Sequence, residues 1–133
     1  MSSFTTPLHV SPMADGRNWE LTRAFTFRIG SQYSNQYIRV PQGFVTDFAS
    51  IPKCLTLVLP DWAKFNKSPV LHDYLYRKKV IMGEAITRKQ ADDIFLEAMM
   101  VSWKDLPKRY FVANLEYWAV RLFAWLAWKK RSK

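Results

Sequence analysis

Hydrophobic and polar residues alternate in the first part of the chain and take a helical spacing in the second. Residues 19–29 (WELTRAFTFRI) alternate in part and are rich in Thr, Phe and Ile, which is typical of a half-buried strand. Residues 30–35 supply turn residues, and residues 36–40 (QYIRV) return as a second strand. A third short strand is predicted at residues 44–46. The pattern therefore predicts an antiparallel hairpin or small sheet.

From residue 53 onward the apolar spacing is helical, and prolines and capping residues mark the helix ends. Ser68 followed by Pro69 predicts a helix over residues 69–79. The sequence Thr87-Arg-Lys-Gln90 fits a capping box and predicts a second helix over residues 88–103. A third helix is predicted over residues 108–130. Its apolar residues stack at helical spacing: Phe111, Leu115, Trp118, Leu122 and Trp125.

These elements predict an α+β fold in which an N-terminal antiparallel hairpin or small sheet is followed by three helices packed on it. A length of 133 residues suits one domain, and we see no internal repeat or linker. Within residues 1–133 we distinguish four parts. They are an arm or short leading strand at 1–18, a β region at 19–52, a helical region at 53–130 and a basic tail at 131–133.

Composition excludes some classes of protein. Hydrophobic residues make up 49% of the chain, which is too apolar for a disordered protein despite the net charge of +9. The lone Cys54 excludes an internal disulfide, and the N-terminus lacks the pattern of a secretion signal, so we expect synthesis in the cytosol. The charge suits a polyanionic partner. Nucleic-acid binding is only weakly supported, because the basic residues are scattered apart from one cluster near the end of the chain.

The third predicted helix raises the question of a membrane, because residues 110–128 are mostly apolar. Asn114, Glu116 and Arg121 would each be costly in the bilayer centre, with about 2.5 to 3.5 kcal/mol for the arginine alone. No transmembrane segment is therefore predicted. A core helix and a partner-binding helix both fit this pattern, and the tryptophans with terminal lysines also fit an interfacial helix.

The helix predicted over residues 69–79 carries the strongest candidate for chemistry. At about 100° per residue, His72 and Tyr76 share one face, and Asp73 lies a step around. A neutral imidazole acts as a general base when an acidic group holds its second nitrogen. Asp92 falls at the edge of the buried stripe predicted for the next helix, whereas Asp93 points away. If the two helices pack antiparallel, Asp92 meets His72.

Three further interpretations involve the loop that follows the sheet, which contains Asp47 and Ser50. Asp47, His72 and Asp73 form a mixed nitrogen and oxygen set suited to a divalent metal ion such as manganese or zinc, or to calcium if only oxygens bind. Ser50 is a candidate nucleophile, with His72 as base and Asp92 as its orienting acid. A purely structural interpretation stays open, with a buried histidine, a turn aspartate and an acid favoured by the helix dipole.

Three blocks of the sequence resemble the DUF1353 family of small phage and prophage proteins, whose function is unknown. The blocks lie at residues 40–52 (VPQGFVTDFASIP), 72–76 (HDYLY) and 91–95 (ADDIF), within a resemblance that covers roughly residues 20–125. The resemblance implies a phage or prophage origin and implies no activity.

The histidine helix is also similar, more locally, to that of calcium-dependent secreted phospholipases and of the phospholipase domain in parvovirus capsids. This resemblance implies that His72 activates a water molecule, that Asp73 binds calcium and that Asp92 orients His72. The chain departs from those enzymes in two respects. It has no glycine-rich calcium loop before the helix, and it lacks their paired cysteines.

The leading hypothesis is a phage-encoded, hydrolase-like protein whose site is formed by Asp47, His72, Asp73 and Asp92, with a divalent metal ion as candidate cofactor. The first alternative is a non-catalytic virion or tail-associated protein that docks other phage subunits through its aromatic C-terminal helix. The second is a binding protein directed at a host protein of bacterial defence. We expect the protein in the host cytoplasm, and in the virion if its role is structural.

Overall fold

The computed structural model describes residues 3–4, 8–16, 18–30, 35–46, 67–102, 109–123 and 128. Its strands are β1 (Ser3–Phe4), β2 (Val10–Pro12), β3 (Trp19–Leu21), β4 (Phe25–Arg28), β5 (Tyr37–Val40), β6 (Val45–Thr46), β7 (Val80–Ile81) and β8 (Glu84–Ala85). Its helices are α1 (Lys67–Lys78), α2 (Arg88–Ser102) and α3 (Arg109–Phe123). The predicted α+β fold is confirmed, with small antiparallel sheets preceding and three helices following.

The strands before α1 form two antiparallel sheets, in the orders β1-β4-β5 and β2-β3-β6. The prediction of one strand over residues 19–29 is wrong, because the chain bends after Leu21 and its two halves join different sheets. The bend is held by backbone hydrogen bonds that Leu21 and Thr22 donate to Phe44 and His9. Leu21 and Phe25 are both buried and four residues apart, so the alternation continues across the bend and conceals it.

The helix starts follow from local sequence. The capping box of α2 is present, since Thr87 Oγ1 accepts a hydrogen bond from the Gln90 amide and Gln90 Oε1 accepts one from the Thr87 amide. α1 begins at Lys67, two residues before the predicted start. Met82 and Gly83 between β7 and β8 both have positive φ, as a tight two-residue hairpin turn requires. This hairpin returns the chain so that α2 packs along α1.

α2 is the central helix, because it packs against both α1 and α3. One apolar cluster joins the strands to α1 and the inner side of α2, with Phe25, Val40 and Leu71 among its members. The other lies between α2 and α3 and includes Phe95 and Val120. Side chains from all three helices therefore meet along α2.

α3 packs through a stripe different from the one that its sequence suggests. Its buried residues are Val112, Ala113, Glu116, Ala119 and Val120. Phe111, Trp118 and Leu122 of the predicted stripe are instead exposed, and Trp125 lies outside the described residues. The helix thus serves as a core helix on one side and leaves an aromatic stripe on the other. Among the helices described, none is long and apolar enough to cross a membrane.

Candidate functional site

His72 and Asp92 meet between α1 and α2. The Nε2 atom of His72 lies 2.7 Å from Oδ1 of Asp92, and the two side chains are 2% and 0% exposed. The contact arises because the β7–β8 hairpin reverses the chain and brings the start of α2 beside the middle of α1. A hydrogen bond between a buried imidazole and a buried carboxylate is the arrangement that fixes the orientation of a histidine.

Tyr76 reinforces this contact from the same helix face. Its hydroxyl group donates a hydrogen bond of 2.6 Å to Oδ1 of Asp92, the oxygen that also faces His72. The rings of His72 and Tyr76 lie 4.2 Å apart, as expected for residues one helical turn apart. Burial, together with the hydrogen bond to Asp92, raises the pKa of Tyr76 far above its ordinary value. Tyr76 therefore stays protonated and acts as a donor.

The second oxygen of Asp92 faces two arginines. Arg121 of α3 donates a hydrogen bond of 2.9 Å to Oδ2, and the guanidinium group of Arg88 lies 3.5 Å from the same atom. Arg88 also donates to the carbonyl groups of Val120 and Arg121, which fastens α3 to α2. Burial alone raises the pKa of Asp92, but the hydrogen bonds from His72, Tyr76 and Arg121 outweigh it and lower the pKa. Asp92 is therefore ionised.

An ionised Asp92 determines the tautomer of the histidine. Because the carboxylate can only accept a hydrogen bond, Nε2 of His72 must carry the proton. In the neutral ring the basic lone pair then lies on Nδ1. Phe95 packs against the ring with centroids 4.5 Å apart and holds its plane. The arrangement presents Nδ1 as a proton acceptor of fixed direction.

Asp73 is buried next to His72 on α1. Its side chain is fully enclosed, and Arg77 Nε lies 3.5 Å from its Oδ1 atom one turn later. The other two predicted site residues, Asp47 and Ser50, lie outside the described residues. Asp47 directly follows Thr46, the buried end of β6, and β6 packs against α1. The described structure thus brings His72 and Asp92 of the predicted set into contact, and Asp73 follows His72 on α1.

A metal site is not assembled from the described residues alone. Within them, no group of three or more His, Cys, Asp and Glu side chains is placed to hold a metal ion. The predicted set of Asp47, His72 and Asp73 includes one residue outside that part of the chain. Because Nε2 of His72 faces Asp92, a metal ion bound by this ring would contact Nδ1.

Sequence reasoning distinguished the two neighbouring aspartates but missed the arginines. Asp93 points away from His72 as predicted, and it accepts hydrogen bonds from Lys89 and Tyr117. Asp92 was predicted at the edge of the buried stripe, whereas it is fully buried. Arg121 was considered only as a cost in a membrane. A charged residue in an otherwise apolar helix needs a partner, and that requirement was the available signal.

Glu116 is a third buried acid, after Asp73 and Asp92, and the sequence did not single it out for chemistry. It lies on the buried stripe of α3 and is 2% exposed. Within the described part of the chain, neither of its carboxyl oxygens has a hydrogen-bond partner. Burial raises the pKa of Glu116 to about 8. At pH 7 its side chain is therefore mostly a neutral carboxylic acid.

Comparison with known proteins gives one match. A family described as "Protein of unknown function (DUF1353)" matches residues 19–120. No curated protein and no solved structure matches the chain. The match spans β3 to β8, α1, α2 and most of α3, and it therefore includes the whole His72 and Asp92 contact.

Proposed function

The chain belongs to the DUF1353 family of proteins of unknown function, and we propose that it is a hydrolase of phage or prophage origin that uses His72 as a general base. The observation that carries the proposal is the 2.7 Å contact between His72 Nε2 and Asp92, reinforced by Tyr76 on the same oxygen. A structural hydrogen bond needs one partner. Here four side chains, His72 among them, converge on the buried carboxylate of Asp92.

The proposed step is proton abstraction from water. Nδ1 of His72 takes a proton as the water oxygen attacks the carbonyl carbon of an ester, and the same proton is then passed to the leaving alcohol. The negative charge of Asp92 stabilises the imidazolium ion that exists between the two proton transfers. Because Arg88 and Arg121 hold Asp92 in its ionised form, the carboxylate does not take up the proton itself.

Asp73 has a separate role in this proposal. Together with Asp47, its carboxylate would hold a divalent cation, and such an ion supplies a positive charge that polarises the carbonyl group under attack. The buried position of Asp73 beside His72 supports this assignment. Ser50 is the alternative nucleophile, which would replace the water in the first step.

The burial of His72 sets a condition on the proposal. The residue is only 1% exposed, so Nδ1 must become accessible to water for hydrolysis to occur. Acylation of the protein with diethyl pyrocarbonate, followed by peptide mass analysis, measures that access. We expect His72 to be modified more slowly than the exposed His9, and modification to remove activity. Complete protection of His72 under native conditions would contradict catalysis.

The activity test uses phospholipid vesicles and short-chain chromogenic esters, each with calcium, with manganese and with a chelator. We expect His72→Gln and Asp92→Asn to lower the rate of hydrolysis at least about a hundredfold, as for loss of a general base. Asp93→Asn is the matched control, because Asp93 is adjacent and faces away. Equal rates in all variants would show that any hydrolysis arises elsewhere or from a contaminant.

A second function, a non-catalytic virion or tail-associated role, is favoured by a different observation. Phe111, Trp118 and Leu122 form an exposed aromatic stripe on α3. Exposed apolar patches of this kind commonly mark binding surfaces. Quantitative mass spectrometry of purified virions tests this role, and absence of the protein would contradict it.

A further inference from the structure

The outer side of α3 carries an apolar stripe of four residues: Phe111, Leu115, Trp118 and Leu122. Phe111, Trp118 and Leu122 are 69%, 58% and 61% exposed, and nothing in the described part of the chain covers them. Burial of large apolar side chains that are contiguous on one helix face is favourable, and this free energy is not gained while they stay in water. Such a stripe gains stability if another surface covers it.

The spacing of the stripe indicates what kind of surface fits. Its residues are separated by four, three and four positions, which is the a and d spacing of a coiled coil. A shallow depression of about 450 Å³ lies between Phe111, Asn114, Leu115 and Trp118. Four residues at positions i, i+3, i+4 and i+7 are those that form the hole for a side chain of a facing helix. The shape therefore suits a helix.

We propose that the facing helix is α3 of a second copy of this chain, packed antiparallel about a two-fold axis between Glu116 and Tyr117. In that register Leu115 lies opposite Trp118 of the second copy, and Phe111 lies opposite Leu122 of the second copy. Each aromatic ring then meets a leucine. Residues at heptad position a thus face residues at heptad position d, as in antiparallel coiled coils. A parallel pair would place the two Trp118 rings against each other.

The charge distribution is compatible with self-association despite the net charge of +9. The basic residues described beside this face have acidic partners: Arg121 and Arg88 face Asp92, and Lys89 faces Asp93. In the antiparallel register the two Arg121 residues are about 14 Å apart along the axis, at 1.5 Å per residue. That separation exceeds the Debye length of about 8 Å at physiological salt. A parallel pair would bring them side by side.

The available area predicts how strong the contact is. The exposed parts of the three large side chains offer on the order of 400 Å² per copy, judged from the 150 to 250 Å² that an aromatic residue buries. Two copies with their flanking residues would approach about 1,200 Å², the lower limit for specific interfaces. We therefore expect a weak dimer that forms in a concentration-dependent way.

Sedimentation velocity of the full chain over a wide concentration range tests the dimer. We expect Trp118→Glu to weaken association at least tenfold while circular dichroism stays unchanged, because Trp118 is exposed. Met82→Glu is the matched control, since Met82 is 57% exposed on the β7–β8 turn. A monomer at every concentration would overturn the proposal. So would a dimer that Trp118→Glu leaves intact.

Cysteine cross-linking tests the register. In a Cys54→Ser background, Phe111→Cys protein is mixed with Leu122→Cys protein and oxidised. We expect a cross-linked dimer in the mixture and little in either protein alone, because identical positions would be about 16 Å apart along the axis, beyond the reach of a disulfide. Cross-links within each separate protein would indicate a parallel pair and overturn the proposed packing.

Salt and lipid separate self-association from binding to an anionic membrane. Added salt should leave the apolar dimer unchanged or strengthen it, whereas it weakens the attraction of a basic protein to anionic vesicles. A monomer that binds phosphatidylglycerol vesicles through Trp118, and releases them in high salt, would show that the stripe faces lipid and would overturn the dimer.

Discussion

Arg121 of α3 donates a hydrogen bond of 2.9 Å to Oδ2 of Asp92 on α2. Through this one bond the third helix contributes to a site whose histidine lies on α1. Asp92 thereby accepts hydrogen bonds from two other helices, from Tyr76 and the His72 ring on α1 and from Arg121 on α3, and it forms an ion pair with Arg88 on its own helix. The orientation of His72 thus depends, through Asp92, on the packing of α3.

Removal of Arg121 tests this dependence. Arg121→Met keeps the aliphatic part of the side chain and leaves Asp92 with Arg88 as its nearest guanidinium group. We expect a loss of about 2 kcal/mol in the free energy of unfolding, measured with urea, because one partner of a buried charge is removed. The double variant Arg121→Met with Asp92→Asn serves as the control. It should lose less than the sum of the two single changes, and strict additivity would contradict the coupling.

Tyr76→Phe removes one hydrogen bond and no core volume. We expect a loss of about 1 kcal/mol in stability and a higher pKa for Asp92, since one donor to its Oδ1 atom is gone. NMR titration of the Asp92 carboxyl carbon measures the pKa. Tyr74→Phe is the matched control, because Tyr74 lies on the same helix and its ring packs against Phe44. Equal effects of both changes would contradict a role for the Tyr76 hydroxyl.

Periodicity and capping predicted the parts of the fold that depend on neighbouring residues. The capping box at Thr87 and Gln90 fixed the start of α2, because its two hydrogen bonds lie within one turn. The sequence pattern did not predict the bend after Leu21, because Leu21 and Phe25 on either side of it are both buried and preserve the alternation. The bend depends instead on pairing with strands that are distant in sequence. Local patterns carry no information on which strand a segment pairs with.

In the candidate site, too, local sequence predicts some features, whereas others depend on contacts between residues distant in sequence. Helical geometry was enough to place His72 and Tyr76 on one face and to prefer Asp92 over Asp93. It could not reveal Arg121, because that contact joins residues 29 positions apart on helices whose relative rotation depends on packing. The sequence also left open, for a related reason, whether the aromatic stripe of α3 lies in the core or in an interface. Val112 and Val120 form an equally regular stripe, and the tertiary structure buries that one.

The ionised state of Asp92 predicts a loss of stability in acid. Its folded pKa lies below the ordinary value of 3.8, so its contribution is fully present above that value and is lost as the pH falls through the folded pKa. We expect the wild-type protein to lose stability more steeply below about pH 4 than Asp92→Asn does. Urea unfolding at a series of pH values measures the two slopes. Parallel slopes would show that Asp92 has the same pKa in both states.

The buried carboxyl group of Glu116 predicts that the stability of the protein falls as the pH rises towards neutral and alkaline values. Its pKa rises from 4.5 to about 8 on folding, so the folded state holds a proton that the unfolded state releases. Stability is therefore greatest below pH 4.5, falls as the pH rises and levels off above about pH 8.

Glu116→Gln keeps the shape of the side chain and carries no charge. We expect it to match the wild type near pH 5 and to be more stable by on the order of 4 kcal/mol at pH 9. Glu97→Gln on α2 is the control, because Glu97 is a glutamate that is only partly buried. Thermal unfolding from pH 5 to pH 9 provides the comparison. If Glu116→Gln gains no stability at high pH, a charged Glu116 is tolerated in the folded protein and its burial carries no alkaline penalty.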